Sequence, residues 1–406
     1  MSSVRRSLSR GAVPQHSLHG GDPSVLRRLN SAATLRALRD GGEATLSELA
    51  KRVGLSRPTT EGVLGELIDR GLAAEDAPRP GSGLGRPARR YRFRAEAGHA
   101  LGIDIDARRV RLLVADLTGE VVGGHRAALD VQAPPGERIT GVRAAVKACL
   151  AAAHVDRQSL WAVAAGTPGV VAPDGTVTSC TVVPGWEGLH LARELGRSFS
   201  CPVLVENDAN LAAMAERWRG AARDADDVVC VHAALHTGMG ALIGGRLHRG
   251  RWGAAGEIGM LDELGLRDTT AALSPGCFDE AGEVLDAAAQ GEPEAKGLVE
   301  RLAARMARGV AAMSLALDPE MIVVGGPLVR AGSPLVAELR RRVRPLCLSP
   351  VRIEGSELGD ESVGLGAVRL ALDRIDEDLF RLDRPSRHPG GNETGEERQT
   401  RPSPLS

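Results

Sequence analysis

The chain has 406 residues, 43% of them apolar and 25% charged, which is enough for two or three domains with sizeable cores. Its six cysteines include no C-x-x-C pair and no apolar run is long enough to span a membrane, so we expect a cytoplasmic protein rather than a disulfide scaffold or a membrane protein. The net charge of −1 divides into +7 for residues 1–99 and −8 for residues 100–406, which places any affinity for a polyanion in the N-terminal part.

The N-terminal segment is predicted to begin without fixed structure and to continue into a helix. Residues 1–22 are polar, a composition typical of disorder. A helix is predicted at 25–39, where apolar side chains are available for a core. Those side chains are Leu26, Leu29, Ala33, Leu35 and Leu38.

Residues 45–70 have the pattern of two short helices joined by a tight turn. Thr45 and Glu48 can form a capping box on the first helix, and Gly54 ends it. A helix-turn-helix presents the first residues of its second helix to the major groove, so this pattern predicts DNA binding. An ordinary helical hairpin with a solvated polar face is the alternative. The residues predicted to contact DNA here are Ser56, Arg57, Thr59 and Thr60.

The residues that follow favour a winged helix. Segments 72–74 and 90–93 can pair as a hairpin with a long tip rich in Gly, Pro and Arg. Arg86 and Arg89 could enter a minor groove or bind phosphates, or they could belong to a solvated basic loop. We therefore predict a winged helix DNA-binding domain at 23–95.

The region 98–375 alternates apolar strands with alanine-rich helices in two similar halves, which predicts an α/β fold. The polar residues 376–406 are predicted to form a disordered tail. The predicted strands are 100–105, 109–116, 120–127, 161–166, 202–206, 228–235, 240–243 and 321–324, with helices at 138–154 and 209–219.

Six motifs in this region follow one another in the order seen in the ROK family, and the region resembles that family through them. They are GTPGVVAPDGTV (166–177), VENDANLAAMAE (205–216), HTGMGALIGG (236–245), GAAGEIG (253–259), IVVGGPL (322–328) and LGDESVGLGAV (358–368).

The family consists of bacterial sugar kinases and sugar-responsive repressors, and the resemblance implies a two-lobed, actin-like and hexokinase-like fold. The lobes would be 98–208 with 362–375, and 209–361. A winged helix in front of such a domain is the layout of the family's repressors rather than of its kinases.

The resemblance also implies a ligand site built from Asn207, Asp208 and Glu257. Asp208 corresponds to the general base of the kinases, and Glu257 would bind sugar hydroxyls, since a carboxylate can orient a hydroxyl and accept its proton. Both residues could equally serve a pocket that binds without reaction. Without the resemblance, Asp208 could simply cap the helix that begins at Ala209.

Two departures from the kinase pattern affect the phosphate loops. The turn at 104–109 reads DIDARR and lacks the glycines that let a phosphate approach the backbone, and Asp106 adds a negative charge there. In the second loop His236 stands where the family usually has glycine. The sequence therefore argues against catalysis, and we expect no cofactor.

Two further departures affect the zinc module and the sugar pocket. Met260 replaces the family's histidine, and 261–278 holds a single cysteine. A tetrahedral zinc site needs about four ligands, so it cannot form here and no metal is expected. Val182 stands where an asparagine commonly contacts sugar. These changes indicate a ligand less polar than glucose, or no ligand.

We therefore predict a DNA-binding repressor of carbohydrate-related genes. Its degenerate sugar-kinase-like domain would sense a sugar or sugar-derived effector and form a homodimer or tetramer on a double-stranded operator. The alternatives are an active sugar kinase that keeps Asp208 as its base, and a repressor without a small-molecule effector.

Overall fold

The computed structural model describes residues 23–76, 88–234, 236–267, 281–329 and 332–380. The chain divides into two compact units, with the boundary between Phe93 and Arg94. The predicted start of the disordered tail was wrong, because residues 376–380 are helical and continue a helix that carries the i, i+4 pair Arg374–Asp378. The other segments predicted to be disordered lie outside the described residues.

The N-terminal unit combines three helices with a small antiparallel sheet. Its strands lie in the order β1-β3-β2, and β2 pairs with β3 as the predicted wing hairpin. The elements are α1 (Pro23–Gly41), β1 (Ala44–Thr45), α2 (Leu46–Val53), α3 (Arg57–Asp69), β2 (Ala73–Asp76) and β3 (Arg90–Phe93).

The ends of α2 and α3 confirm the predicted helix-turn-helix signals. The Thr45 side chain accepts the Glu48 amide, and the Glu48 carboxylate accepts the Thr45 amide, which completes the capping box. Gly54 ends α2 with a φ of 69°, a left-handed conformation that favours glycine. Ser56 caps α3 by accepting the Thr59 amide.

The prediction for the core face of α1 was partly wrong. Leu35 and Leu38 are buried, whereas Leu26 is 61% exposed, Leu29 is 45% exposed and Ala33 is exposed. A helix repeats every 3.6 residues, so Ala32, Leu35 and Leu38 lie on one face, and this is the face that is buried. The other three residues lie beside that face, at i, i+3 and i+7.

The second unit begins with a five-stranded sheet in the order β10-β7-β4-β5-β6. Strands β4, β5 and β6 form an antiparallel meander. Strand β7 pairs in parallel with β4, and β10 pairs in parallel with β7. The elements of this half are β4 (His99–Ile105), β5 (Arg109–Asp116), β6 (Val121–Ala128), α4 (Pro135–Ala152), β7 (Leu160–Thr167), β8 (Val170–Val171), β9 (Val177–Ser179), α5 (Leu191–Gly196), β10 (Val203–Asn207) and α6 (Asp208–Arg219).

The second half repeats this topology in a sheet of order β13-β12-β11-β14-β15, which confirms the predicted similarity of the two halves. Again a meander opens the sheet and two parallel strands extend it. Its elements are β11 (Val228–His232), β12 (Gly238–Ile243), β13 (Arg246–Leu247), α7 (Ala281–Gln290), α8 (Pro293–Leu317), β14 (Met321–Gly325), α9 (Pro334–Val343), β15 (Arg352–Gly355) and α10 (Ser362–Phe380).

Helix α10 packs so closely on the first sheet that glycine is required at the contact. A Cβ on Gly102 would lie 2.5 Å from the Gly364 carbonyl oxygen, and one on Gly366 would lie within van der Waals overlap of the Leu211 carbonyl oxygen on α6. These backbone contacts hold the start of α10 and the start of α6 beside the ends of β4 and β7. Within the described residues, no helix is both long and apolar enough to cross a bilayer.

Candidate functional site

A cavity of about 240 Å³ is lined by residues from both halves of the second unit. Asp104 lies near the end of β4 and His232 at the end of β11, where the two sheets present corresponding edges. The structure brings the three predicted ligand residues, Asn207, Asp208 and Glu257, into the lining of this one cavity.

Asn207 and Asp208 form the corner between β10 and α6. The Asn207 side chain accepts the Asn210 amide at 3.0 Å and donates to the Gly169 carbonyl at 3.1 Å. Asn207 is therefore the N-cap, and the alternative that Asp208 caps this helix is wrong. The Asp208 carboxylate accepts the Ala209 amide at 2.8 Å, and its side chain lines the cavity.

Glu206 stabilises this corner through hydrogen bonds to its residues. Sequence reasoning did not identify this role. Its buried carboxylate accepts the Asn207 amide and the Asn210 side-chain amide, both at 2.9 Å. Its other oxygen pairs with Arg249. Since Asn207 itself is engaged in the cap, Glu206 and Asn207 together fix the direction in which Asp208 enters the cavity.

The carboxyl groups of Asp208 and Glu257 are held in an unfavourable environment for negative charge. Burial raises the pKa of Asp208 to about 7, and the charge of Asp106 adds to this effect. Burial, and then the charge of Asp208, raises the pKa of Glu257. Neither carboxylate has an ion-pair partner among the residues that the structure describes.

The phosphate-loop end of the cavity is occupied by an ion cluster in which Asp104 and Arg111 are buried and Asp360 is partly exposed. The Arg111 guanidinium donates to the carboxylates of Asp104 at 3.2 Å and Asp360 at 2.7 Å, and to the Asp360 carbonyl at 3.0 Å. Burial outweighs the attraction of Arg111 and raises the pKa of Asp104 to about 6. Sequence reasoning identified the altered turn but not this cluster, because Asp360 is 249 positions from Arg111 in the chain.

The turn between β4 and β5 uses its own backbone donors. The Asp106 carboxylate accepts the Ala107 amide at 2.5 Å, and the Asp106 amide donates to the Arg109 carbonyl at 2.9 Å. From behind, Arg138 on α4, only 1% exposed, donates to the Ala107 carbonyl at 2.7 Å. The same guanidinium donates to the carbonyls of Asp130 at 2.8 Å and Val131 at 2.9 Å. The turn is thus closed by hydrogen bonds on both sides.

The second loop retains glycines, but they serve packing against α6. A Cβ on Gly240 would lie 2.4 Å from the Ala209 carbonyl oxygen, and one on Gly238 would lie 3.0 Å from the Ala209 side chain. His232, only 8% exposed, precedes this loop, and burial lowers the pKa of its imidazole. His236 and Thr237 also line the cavity.

The two apolar replacements, Val182 and Met260, both line the cavity, together with Leu266. In the described part of the chain, no group of three or more His, Cys, Asp or Glu side chains could hold a metal ion. The family's zinc module does not fit this sequence, because residues 260–280 contain one cysteine, Cys277, and no histidine.

The residues at the start of α3 that were predicted to contact DNA differ in their exposure. Arg57 and Thr59 are exposed, and the Ser56 hydroxyl is engaged in the cap. The prediction for Thr60 was wrong, because Thr60 is fully buried and its hydroxyl donates to the Ser56 carbonyl at 2.9 Å. Thr60 begins the i, i+3, i+4, i+7 pattern of the buried face of α3, a signal that the sequence already contained.

The described part of the wing carries arginines that are paired with acids. Arg89 donates to Glu75 at 3.2 Å, and Arg92 donates to Asp76 at 3.2 Å, in both cases across the hairpin. A DNA contact by Arg89 would therefore exchange one partner for another. Arg86 lies outside the described residues.

Comparison with known proteins gives the same division of the chain. Residues 100–280 and 278–374 match the ROK family, and residues 30–77 match the IclR helix-turn-helix domain. The putative xylose repressor of Caldicellulosiruptor sp. is 22% identical over 389 residues, covering 87% of this chain and 97% of the relative.

Two solved structures share the fold to different extents. A ROK family transcriptional regulator, a homologue of the E. coli MLC protein, matches with a TM-score of 0.64 and 19% identity, over 88% of this chain and 98% of its own. A ROK glucokinase from Streptomyces griseus, in complex with glucose and AMPPNP, matches with a TM-score of 0.57 and 24% identity, over 68% of this chain and 100% of its own. The family match spans most of the chain, and the chain therefore belongs to the ROK family.

Proposed function

We propose that the protein is a DNA-binding repressor of carbohydrate-related genes whose kinase-like unit senses a small effector. The observation that carries this proposal is the joining of a helix-turn-helix to a ROK unit in one chain. A relative described as a putative xylose repressor aligns over 97% of its own length and 87% of this chain, whereas the glucokinase matches only 68% of this chain.

The DNA-reading surface is the start of α3. Arg57 and Thr59 project from its first turn without being buried, where a recognition helix reaches base edges in the major groove. The paired arginines of the wing would add phosphate contacts that position the unit rather than read sequence.

The effector site is the cavity lined by Asn207, Asp208 and Glu257. A ligand that binds one arrangement of the two halves better by about 1–3 kcal/mol would act as a switch. A homodimer or tetramer would pair two winged helices on an operator with two-fold symmetry.

The phosphate-loop end of the cavity argues against phosphoryl transfer. Arg111, Asp104 and Asp360 occupy this end, and the amides of Asp106 and Ala107 donate within the β4–β5 turn. Phosphoryl transfer depends on donors and cations aimed at the phosphates. The competing function is an active sugar kinase, which would be supported by ATP-dependent sugar phosphorylation that disappears in Asp208→Asn.

The proposal is tested by capturing genomic DNA fragments with the purified full-length chain and sequencing what is retained. We expect a shared motif with two-fold symmetry. Arg57→Ala should lose discrimination between that motif and random DNA by about tenfold or more, because a base contact of this kind contributes about 1–3 kcal/mol.

The matched control is Arg126→Ala, which removes an exposed arginine of the kinase-like unit and should leave the motif enriched. Failure of the wild-type chain to enrich any motif above a salt-sensitive background would refute sequence-specific DNA binding.

A further inference from the structure

We propose that Glu61 on α3 accepts a hydrogen bond from the exocyclic amine of a cytosine in the operator, and that Gly62 and Gly65 give it access to the floor of the major groove. The inference rests on the proposed DNA-binding function and goes beyond it, because it names a base-reading residue and the base that this residue selects. It follows from the surroundings of Glu61, from its place on the helix and from the two glycines beside it.

Glu61 is an exposed carboxylate with no ion-pair partner in the described part of the chain. Every other glutamate in the described part of the N-terminal unit lies within ion-pair distance of an arginine. These pairs are Glu43–Arg90, Glu48–Arg90, Glu66–Arg27 and Glu75–Arg89. Arg57 stands four residues before Glu61 on the same side of α3, yet within the described residues no ion pair joins the two. The Glu61 carboxylate is therefore available to a donor outside the protein.

The outer ridge of α3, opposite its packed face, carries almost no side chain. The packed face consists of Thr60, Val63, Leu64 and Leu67. With 3.6 residues per turn, the positions opposite that face are Pro58, Gly62, Gly65 and Asp69. Between Pro58 and Asp69 this ridge is bare backbone, and Arg57 and Glu61 lie along one side of it. A surface in front of α3 can thus approach the helix axis closely.

The two glycines of the ridge give the chain itself no advantage. A Cβ on Gly62 or Gly65 would meet nothing within 4 Å, and neither residue has the left-handed φ that favours glycine. Inside a helix glycine is less stable than alanine, because it loses more conformational freedom on folding. The space that a methyl group would fill is therefore left for a molecule outside the chain. On the second helix of a helix-turn-helix, that molecule is DNA in its major groove.

The chemistry of the carboxylate selects the base. The Thr59 hydroxyl lies 2.8 Å from the Ser56 hydroxyl in the cap, which leaves Arg57 and Glu61 as the charged groups beside the ridge. An ionised carboxylate only accepts hydrogen bonds. In the major groove cytosine presents its N4 amine alone, whereas adenine places the N7 acceptor beside its N6 amine, and guanine and thymine present acceptors. Glu61 therefore favours cytosine and is repelled by acceptors at the same position.

The same charge makes Glu61 a selective contact rather than a general one. Phosphates surround the groove, so a carboxylate that meets no amine lowers the affinity for DNA. Arg57 provides the opposite preference, because a guanidinium pairs with the O6 and N7 acceptors of guanine. Four residues of helix span about 6 Å, which places the two contacts within one half-site.

The test uses the full-length chain and the motif captured from genomic DNA, with DNA anisotropy as the readout. Each base pair of one half-site is replaced in turn. We expect one C·G pair whose replacement weakens wild-type binding by about tenfold or more and weakens Glu61→Gln by less than about threefold. Glu61→Gln should also bind random DNA more tightly, because it removes a negative charge and keeps the size of the side chain.

The control is Glu120→Gln, which removes an exposed carboxylate of the kinase-like unit and should keep the wild-type base preferences. Equal losses in wild type and Glu61→Gln at every position of the half-site would overturn the proposal.

The variant Gly65→Ala separates a DNA contact from a structural role. The added methyl group should raise the thermal midpoint of the N-terminal unit by about 2 °C or more and weaken binding to the motif by about tenfold. Gly136→Ala on α4, where a methyl group also meets nothing within 4 Å, is the control and should leave DNA binding unchanged. Motif binding by Gly65→Ala as tight as that of wild type would contradict the close approach.

Failure of this inference can be told apart from failure of the proposed function. A wild-type chain that captures a symmetric motif, but whose base preferences are unchanged in Glu61→Gln, remains a sequence-specific regulator, and only the role of Glu61 is rejected. A wild-type chain that enriches no motif rejects the regulator and this inference with it.

Discussion

The two turns that meet at the cavity differ in what their polar groups contact. The corner between β10 and α6 keeps the Asn-Asp pair, with Asn207 as the cap and Asp208 in the cavity. The turn between β4 and β5 has no glycine and is closed by its own hydrogen bonds and by Arg138. At the corner a carboxyl group is presented to the cavity, whereas at the turn two amides and one carbonyl are engaged by other protein groups.

The largest effect expected from this comparison concerns Arg138. Replacing it with Met would leave the buried carbonyl of Ala107 and the partly buried carbonyls of Asp130 and Val131 without their donor. We expect a loss of about 3 kcal/mol in the free energy of unfolding, since a buried acceptor without a partner costs about 1–3 kcal/mol and water can reach the two partly buried ones. Urea denaturation measures it.

The exposed Arg126→Met is the control for that change and should alter stability by less than about 0.5 kcal/mol. A loss in Arg138→Met no larger than in this control would mean that the β4–β5 turn does not depend on Arg138.

A second prediction tests whether the retained glycines now serve packing. Gly240→Ala would place a methyl group 2.4 Å from the Ala209 carbonyl oxygen, which belongs to backbone and cannot move aside easily. We expect destabilisation by about 2–3 kcal/mol, as for overpacking of a close-packed interior. Gly136→Ala, where the added methyl group meets nothing within 4 Å, should be neutral or slightly stabilising in the same thermal or urea unfolding assay. Equal effects of the two substitutions would contradict the close contact.

The smallest expected effect is a dependence of stability on pH at Asp208. Its pKa is about 7 in the folded chain, against an ordinary value of 3.8, so the folded state binds more protons than the unfolded state between these values. Stability contributed at this site is therefore full at acidic pH and is lost as the pH rises toward and through 7. Asp208→Asn removes this loss, and we expect its stability relative to wild type to rise by about 1.4 kcal/mol between pH 6 and pH 8.

That difference is best measured by urea unfolding of the two proteins at several pH values. A relative stability that does not change with pH would show that the Asp208 carboxyl is solvated like an exposed aspartate. A relative stability that falls with pH would reverse the sign and contradict its burial.

Short-range chemistry explains what could be predicted from the sequence. The capping box of Thr45 and Glu48, the left-handed Gly54 and the strand-helix alternation of the second unit all depend on neighbours in the chain. The ligand residues were predicted because the motifs around Asn207 and Glu257 resemble those of a known family, and the structure places them in one cavity.

Contacts between distant segments explain what could not be predicted. Arg111 and Asp360 are 249 positions apart and no local pattern links them, although their hydrogen bond fills one end of the cavity. In the sequence, Arg138 looks like any arginine of an amphipathic helix. Its role depends on the β4–β5 turn, which packs against it only in the folded chain. Thr60 is different, because its helical spacing to Val63 and Leu67 already indicated burial.

The most direct test of a sensor that binds without catalysis follows DNA binding and ATP consumption in one reaction. The wild-type chain is mixed with the labelled DNA motif captured above, Mg-ATP and either D-xylose or D-glucose, and DNA anisotropy and ADP release are recorded together. We predict that a bound sugar changes operator affinity by about fivefold or more, with ADP release no faster than without protein. Sugar-dependent ADP release that is abolished in Asp208→Asn would contradict the account and identify a kinase.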